Sequence, residues 1–175
     1  MSKITLTLVQ TVTVGAGGAA SIEFTGIPQT GTDLVVMLSA RSGSTSNTVY
    51  LQFNNDTTET NYTYRYLLGN GASASSFTAN NSSAAVYTPS SATASTFANT
   101  QIYVPNYTGS TAKSASIDGV TENNATTALQ EIRATVWTGT AAVTSLKLIG
   151  AGNFVQYSQA SLYTITKGSG GASVA

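Results

Sequence analysis

The chain has 175 residues, with seven basic and seven acidic side chains, no histidine and no cysteine. Those absences exclude Ser-His-Asp and Cys-His nucleophilic devices, imidazole or thiolate metal sites, and disulfides. The charges cancel and never cluster, which argues against binding a nucleic-acid backbone, since that requires grouped cations.

Hydrophobic residues make up 41 % of the chain and charged residues 8 %, a balance that folds rather than stays disordered. A chain of this length fits one domain, burying roughly 70 % of its extended surface. No secretory leader is expected, because strand-like alternation begins at Lys3. The longest apolar run, Leu34 to Leu38, is too short to span a bilayer. No membrane partner is therefore expected.

Residues 3–14 place Ile4, Leu6, Leu8, Val12 and Val14 at even positions, which predicts a strand with one apolar face. Glycines at 15, 17 and 18 mark a turn. Ser21 to Thr25 alternates again with Ile22 and Phe24 inward, and a loop with Gly26, Pro28 and Gly31 follows. Asp33 to Ala40 is continuously apolar enough to predict a central strand covered on both faces. Thr48 to Asn54 and Asn61 to Leu68 read as an antiparallel hairpin with the polar residues between them as its tip.

The Ser/Ala-rich stretch from Gly69 to Ser83 is expected to be the least structured part of the chain. Ala85 to Thr88 is a short strand ending at Pro89, and residues 90–96 form a loop. Further strands are expected at Asn99 to Val104, Lys113 to Val120, Leu129 to Trp137, Val143 to Ile149, Phe154 to Tyr157 and Ser161 to Thr166. Thr126 to Arg133 could hold a helical turn, but Ile132, Ala134 and Val136 alternate, which selects a strand. Short strands separated by Gly, Asn and Pro predict an all-β, single-domain antiparallel β-sandwich of jelly-roll type, with a closed barrel as the alternative. The sandwich is assigned to residues 1–167, and residues 168–175 to a flexible Gly/Ser-rich tail.

Few groups are left for chemistry. Lys113-Ser114 and Ser145 with Lys147 sit at strand positions expected to be exposed, which suits a Ser-Lys device poorly. Two acid pairs, Asp56 with Glu59 and Asp118 with Glu122, fall in Asn/Thr-rich turns and read as solvated acids before they read as a glycosidase pair. Asn54-Asn55-Asp56 lacks the spacing of a calcium loop. No catalytic residue, metal ligand or cofactor site is assigned. The sharpest local feature is the stripe Tyr62, Tyr64, Tyr66, with Trp137 beside a turn. These four rings can pack at the sandwich edge, meet a protein partner, or stack on a glycan.

The phrases TVTVGAGGAASIEF (11–24), GIP (26–28), TDLVV (32–36), NYTYRYL (61–67), GNG (69–71) and IYVPNY (102–107) resemble small virion proteins of tailed bacteriophages, particularly marine and cyanobacterial ones. The resemblance implies a non-enzymatic capsid decoration (cement) protein on the virion surface, made in the host cytoplasm. Its implied partners are the major capsid protein or other virion proteins, and further copies of itself as a homotrimer. The alternative it implies is the receptor-binding module of a tail or head fibre, recognising host surface glycans. A self-contained β-domain without heptads or a Gly-X-Y period favours the first.

Overall fold

Among the described residues, alternation of small polar and apolar residues resolves into twelve strands and one short 3-10 turn, Glu59–Asn61. The computed structural model describes residues 5–122 and 128–166. The strands are β1 (Thr5–Thr13), β2 (Ala19–Phe24), β3 (Asp33–Ala40), β4 (Thr48–Phe53), β5 (Tyr62–Gly69), β6 (Ala74–Ala79), β7 (Ser83–Val86), β8 (Ala98–Val104), β9 (Lys113–Glu122), β10 (Ala128–Trp137), β11 (Leu146–Phe154) and β12 (Gln159–Thr166). The assigned tail, 168–175, lies outside the described residues.

Two antiparallel sheets form, one of eight strands in the order β1-β12-β3-β8-β9-β10-β5-β6 and one of four in the order β2-β11-β4-β7. Along the described chain the sheet changes at every step from β1 to β5, from β6 to β7 and on to β8, and from β10 to β11 and on to β12. That exchange pairs β1-β12-β3-β8 with β2-β11-β4-β7, the double Greek-key wrapping of a jelly roll. The sandwich is therefore the architecture, and the sheets do not close into a barrel. Two excursions, β5-β6 and β9-β10, join through the β5–β10 pairing and extend one sheet by four strands.

The core lies between the sheets. Phe24, Leu51, Phe53, Leu146 and Leu148 from the smaller sheet meet Leu34, Val36, Ile102, Val104 and Leu162 from the larger. Burying each such side chain contributes about 1.5–3 kcal/mol. This is the cohesion that a chain without disulfides depends on.

Several expectations are corrected. In β1 the register shifts between Leu8 and Gln10, so residues on either side of the shift lie on opposite faces. Leu6 and Leu8 are exposed and Val14 is buried, so the even positions do not form one apolar face. β4 and β5 are not a hairpin: β4 pairs with β11 and β7, and β5 with β10 and β6 in the other sheet. Their link turns through Asn54 and Asn55, both in the left-handed region at φ 52° and 55°. The Gly69–Ser83 stretch contains β6, because pairing with β5 satisfies its backbone.

β3 is central as expected, yet Met37 is 42 % exposed on the outer side. The segment at 154 is not a separate strand, since β11 runs through Gly150 and Gly152 with a register shift against β2. Glycine is required at 152, where an added Cβ would lie 2.1 Å from Ser44 Oγ.

Candidate contact site

Strand β10 sets the geometry of the extension. Its apolar alternation, Ile132, Ala134 and Val136, points away from the core, while Glu131, Arg133, Thr135 and Trp137 are buried on the inner side. Trp137 determines this phase. Its ring lies 5.5 Å from Phe53 and 6.5 Å from Tyr62, and its indole Nε1 donates to Asp56 Oδ2 at 2.7 Å.

Tyr62 and Trp137 are 1 % and 4 % exposed, so neither belongs to a surface platform. Tyr62 Oη accepts from the Phe53 amide and donates to the Asp56 carbonyl, bracing the link between the sheets. Burial pushes its hydroxyl up to about 12, and the Asp56 charge adds to the rise.

Asp56 anchors the same link. Oδ1 accepts from the Thr58 amide, and Oδ2 accepts from both Trp137 and Asn61 Nδ2. Burial pulls this carboxyl upward, but the hydrogen bonds outweigh it and hold the group down at about 2. A carboxyl held ionised with both oxygens engaged is unsuited to act as a general acid. Asn54 is likewise committed, accepting from Thr144 and Ser145 and donating to the Ala142 carbonyl. Among the described residues, no group of three or more Asp or Glu is placed to hold a metal ion. In the second acid pair, Asp118 is exposed and accepts from Gln130; the side chain of Glu122 lies outside the described ones.

Tyr64 and Tyr66 remain half-buried on the inner side of the extension, next to Phe77 of β6, a residue that no pattern in its Ser/Ala-rich surroundings singles out. Tyr66 stacks on Phe77 with ring centres 4.7 Å apart and on Tyr64 at 5.8 Å. The Arg133 guanidinium lies 4.5 Å from the Tyr66 centroid and 5.0 Å from that of Tyr64. Rings stacked on one another and covered by a guanidinium offer little free face for a sugar. Arg133 also bonds the buried Glu131, with Nη2 2.5 Å from Oε1. Burial pushes the Glu131 carboxyl up, and Arg133 works against that rise.

Lys113, expected to be exposed, is 1 % exposed, and its ammonium donates to the Gly109 and Thr111 carbonyls. That site holds a structural cation, not a Ser-Lys pair. Lys147 pairs with Glu23 at 3.4 Å across β11 and β2.

The outer side of the eight-stranded sheet spans twice as many strands as that of the four-stranded one. Cross-strand pairing sets Met37, Gln101, Asp118, Ile132 and Leu67 in one row across five strands. Ile132 and Leu67 are 55 % and 59 % exposed. Arg65 and Asp118 are the charges exposed on this side among the described side chains. A shallow groove of about 280 Å³ runs between Leu67, Ile132, Ala134 and Ser116. The sequence hid this surface because an alternating apolar strand is ordinarily phased toward a core.

No protein family, curated protein or solved structure matches the chain.

Proposed function

We propose that this chain is a non-enzymatic virion structural protein, a capsid decoration protein that seats the outer side of its eight-stranded sheet on the shell. The nearly uncharged, partly apolar breadth of that side is the observation that supports it. Eight strands spaced about 4.8 Å apart, each about eight residues long at about 3.3 Å per residue, cover roughly 900 Å². A standard-size protein interface takes about 800 Å² per partner. Interfaces are also depleted of charge at their centres. The buried places of Tyr62 and Trp137, and the covered faces of Tyr66, weigh against the glycan-binding alternative.

Two measurements test the proposal. Quantifying the protein on purified particles should find it distributed over the head in many copies; a few copies confined to the tail would reject the decoration role. The double variant Leu67→Arg, Ile132→Glu alters exposed positions only, so it should fold normally yet bind stripped particles at least tenfold more weakly. Undiminished binding by the folded variant would remove this surface from consideration.

A further inference from the structure

Among the described residues, four strands end the two sheets: β1 and β6 in the larger, β2 and β7 in the smaller. An edge strand displays unpaired N–H and C=O groups, and folded proteins ordinarily block such rows with charge, proline, bulges or shortness. Three of the four edges carry such a device. β1 has its register shift at Leu8 and Gln10. β2 carries Glu23, which is paired with Lys147. β7 has four residues and an irregular register against β4.

β6 carries none of them. Its sequence, ASSFTA, has no charge and no proline, and it pairs in unbroken register with β5 from Ala74 to Ala79. Phe77 is 46 % exposed there, with its ring already stacked on Tyr66.

We infer that β6 is the pairing edge for β6 of a second copy, antiparallel across a two-fold axis normal to the sheet. The inference goes beyond the proposed shell contact and does not depend on it. Antiparallel pairing about such an axis keeps inner residues opposite inner residues. Centred on Phe77, the register sets Ser76 opposite Thr78 of the second copy, and Ser75 opposite its Ala79. The two Phe77 rings then meet at the axis and continue the ladder Arg133–Tyr66–Phe77 into the partner copy. The occupant is a second copy because this register is self-complementary: small hydroxyl residues face each other and aromatic meets aromatic, with no charge to repel.

The test is the mass of the purified full chain by light scattering and sedimentation over a hundredfold range of concentration. The expected result is a concentration-dependent dimer. A monomer throughout, the trimer implied by the virion resemblance, or open-ended filaments would each overturn the inference. The double variant Ser76→Lys, Thr78→Lys sets introduced lysines opposite each other on both sides of the axis, and should weaken the dimer by tenfold or more. Ser76→Lys, Thr78→Glu sets lysine opposite glutamate and should restore it. Both changes fall on exposed positions, and circular dichroism checks that the fold is intact. A dimer indifferent to the two lysines, or one not restored by the lysine–glutamate variant, would overturn the pairing in this register.

Discussion

Replacing Arg41 with methionine is expected to lower the stability of the chain by about 3 kcal/mol or more, the largest effect of any single polar substitution considered. Arg41 is buried, and among the described residues its guanidinium meets oxygens of neutral groups. Its Nη1 donates to the Thr93 carbonyl and to both the carbonyl and hydroxyl of Thr96, and its Nη2 to the carbonyls of Ser90 and Ala92. One planar fork thus ties together residues 90–96 of the connection between β7 and β8. Methionine matches much of the aliphatic bulk but supplies no donor, leaving those carbonyls to be rehydrated by opening the loop.

At roughly 2–4 °C per kcal/mol for a chain of this size, the midpoint of thermal unfolding should fall by about 6–12 °C. Arg41→Lys should recover only part of the loss, since an ammonium lacks the fixed fork geometry. Calorimetry on the three proteins checks both points. A methionine variant within 2 °C of the parent would show that the loop does not depend on this side chain.

The second large effect is expected at Asp56. Substitution by asparagine keeps an acceptor for the Thr58 amide but turns a donor toward Trp137 or Asn61. Loss of charged hydrogen bonds of this kind costs about 2 kcal/mol. The effect should also depend on pH. The folded-state carboxyl lies at about 2, below its ordinary value of 3.8. A depressed acid contributes stability that is fully present above its unfolded pKa and is lost as pH falls through the folded one. The difference between parent and Asp56→Asn should therefore be constant at neutral pH and shrink between about pH 4 and pH 2. Glu131, raised by burial, acts with the opposite sign, but it is common to both proteins and cancels in the difference. Urea midpoints across this range check the expectation; a difference that stays constant down to pH 2 would refute it.

Most of the architecture was legible in the residues. The exact span of β3, Asp33–Ala40, follows from its unbroken apolar run, and the inward set Val49, Leu51, Phe53 follows from alternation in β4. What escaped depends on distant partners. Whether Thr48 to Phe53 pairs with the next strand or crosses to another sheet is decided by β7 and β11, which lie far along the chain. The phase of β10 was unreadable because Trp137 outweighs Ile132 and Val136 together, leaving a buried Arg133–Glu131 pair where a charge would ordinarily face water. β6 was hidden for a different reason: Ser and Ala carry little strand propensity, and an edge strand borrows its order from its neighbour. For the candidate site, the tyrosine stripe was correctly placed on one side of β5. Its division into a buried ring and half-buried ones, with Phe77 and Arg133 closing over Tyr66, required the third dimension.

The position of β12 bears on how the chain reaches this structure. β12 lies between β1 and β3, with Thr5 opposite Thr166 at one end. Until β12 is in place, β1 has no neighbour in its sheet and β3 has only β8. The sheet cannot be zipped from the front; its central seam closes by joining segments about as far apart in sequence as the chain allows. Chains dominated by such distant pairings fold in roughly milliseconds to seconds, against roughly microseconds to milliseconds for helical bundles of similar stability. During that interval two strand edges stand open, so capture by another unfinished chain competes with completion. Refolding yield should accordingly fall as protein concentration rises while the refolding rate of the recovered fraction stays constant, which dilution-jump experiments followed by Trp137 fluorescence would show.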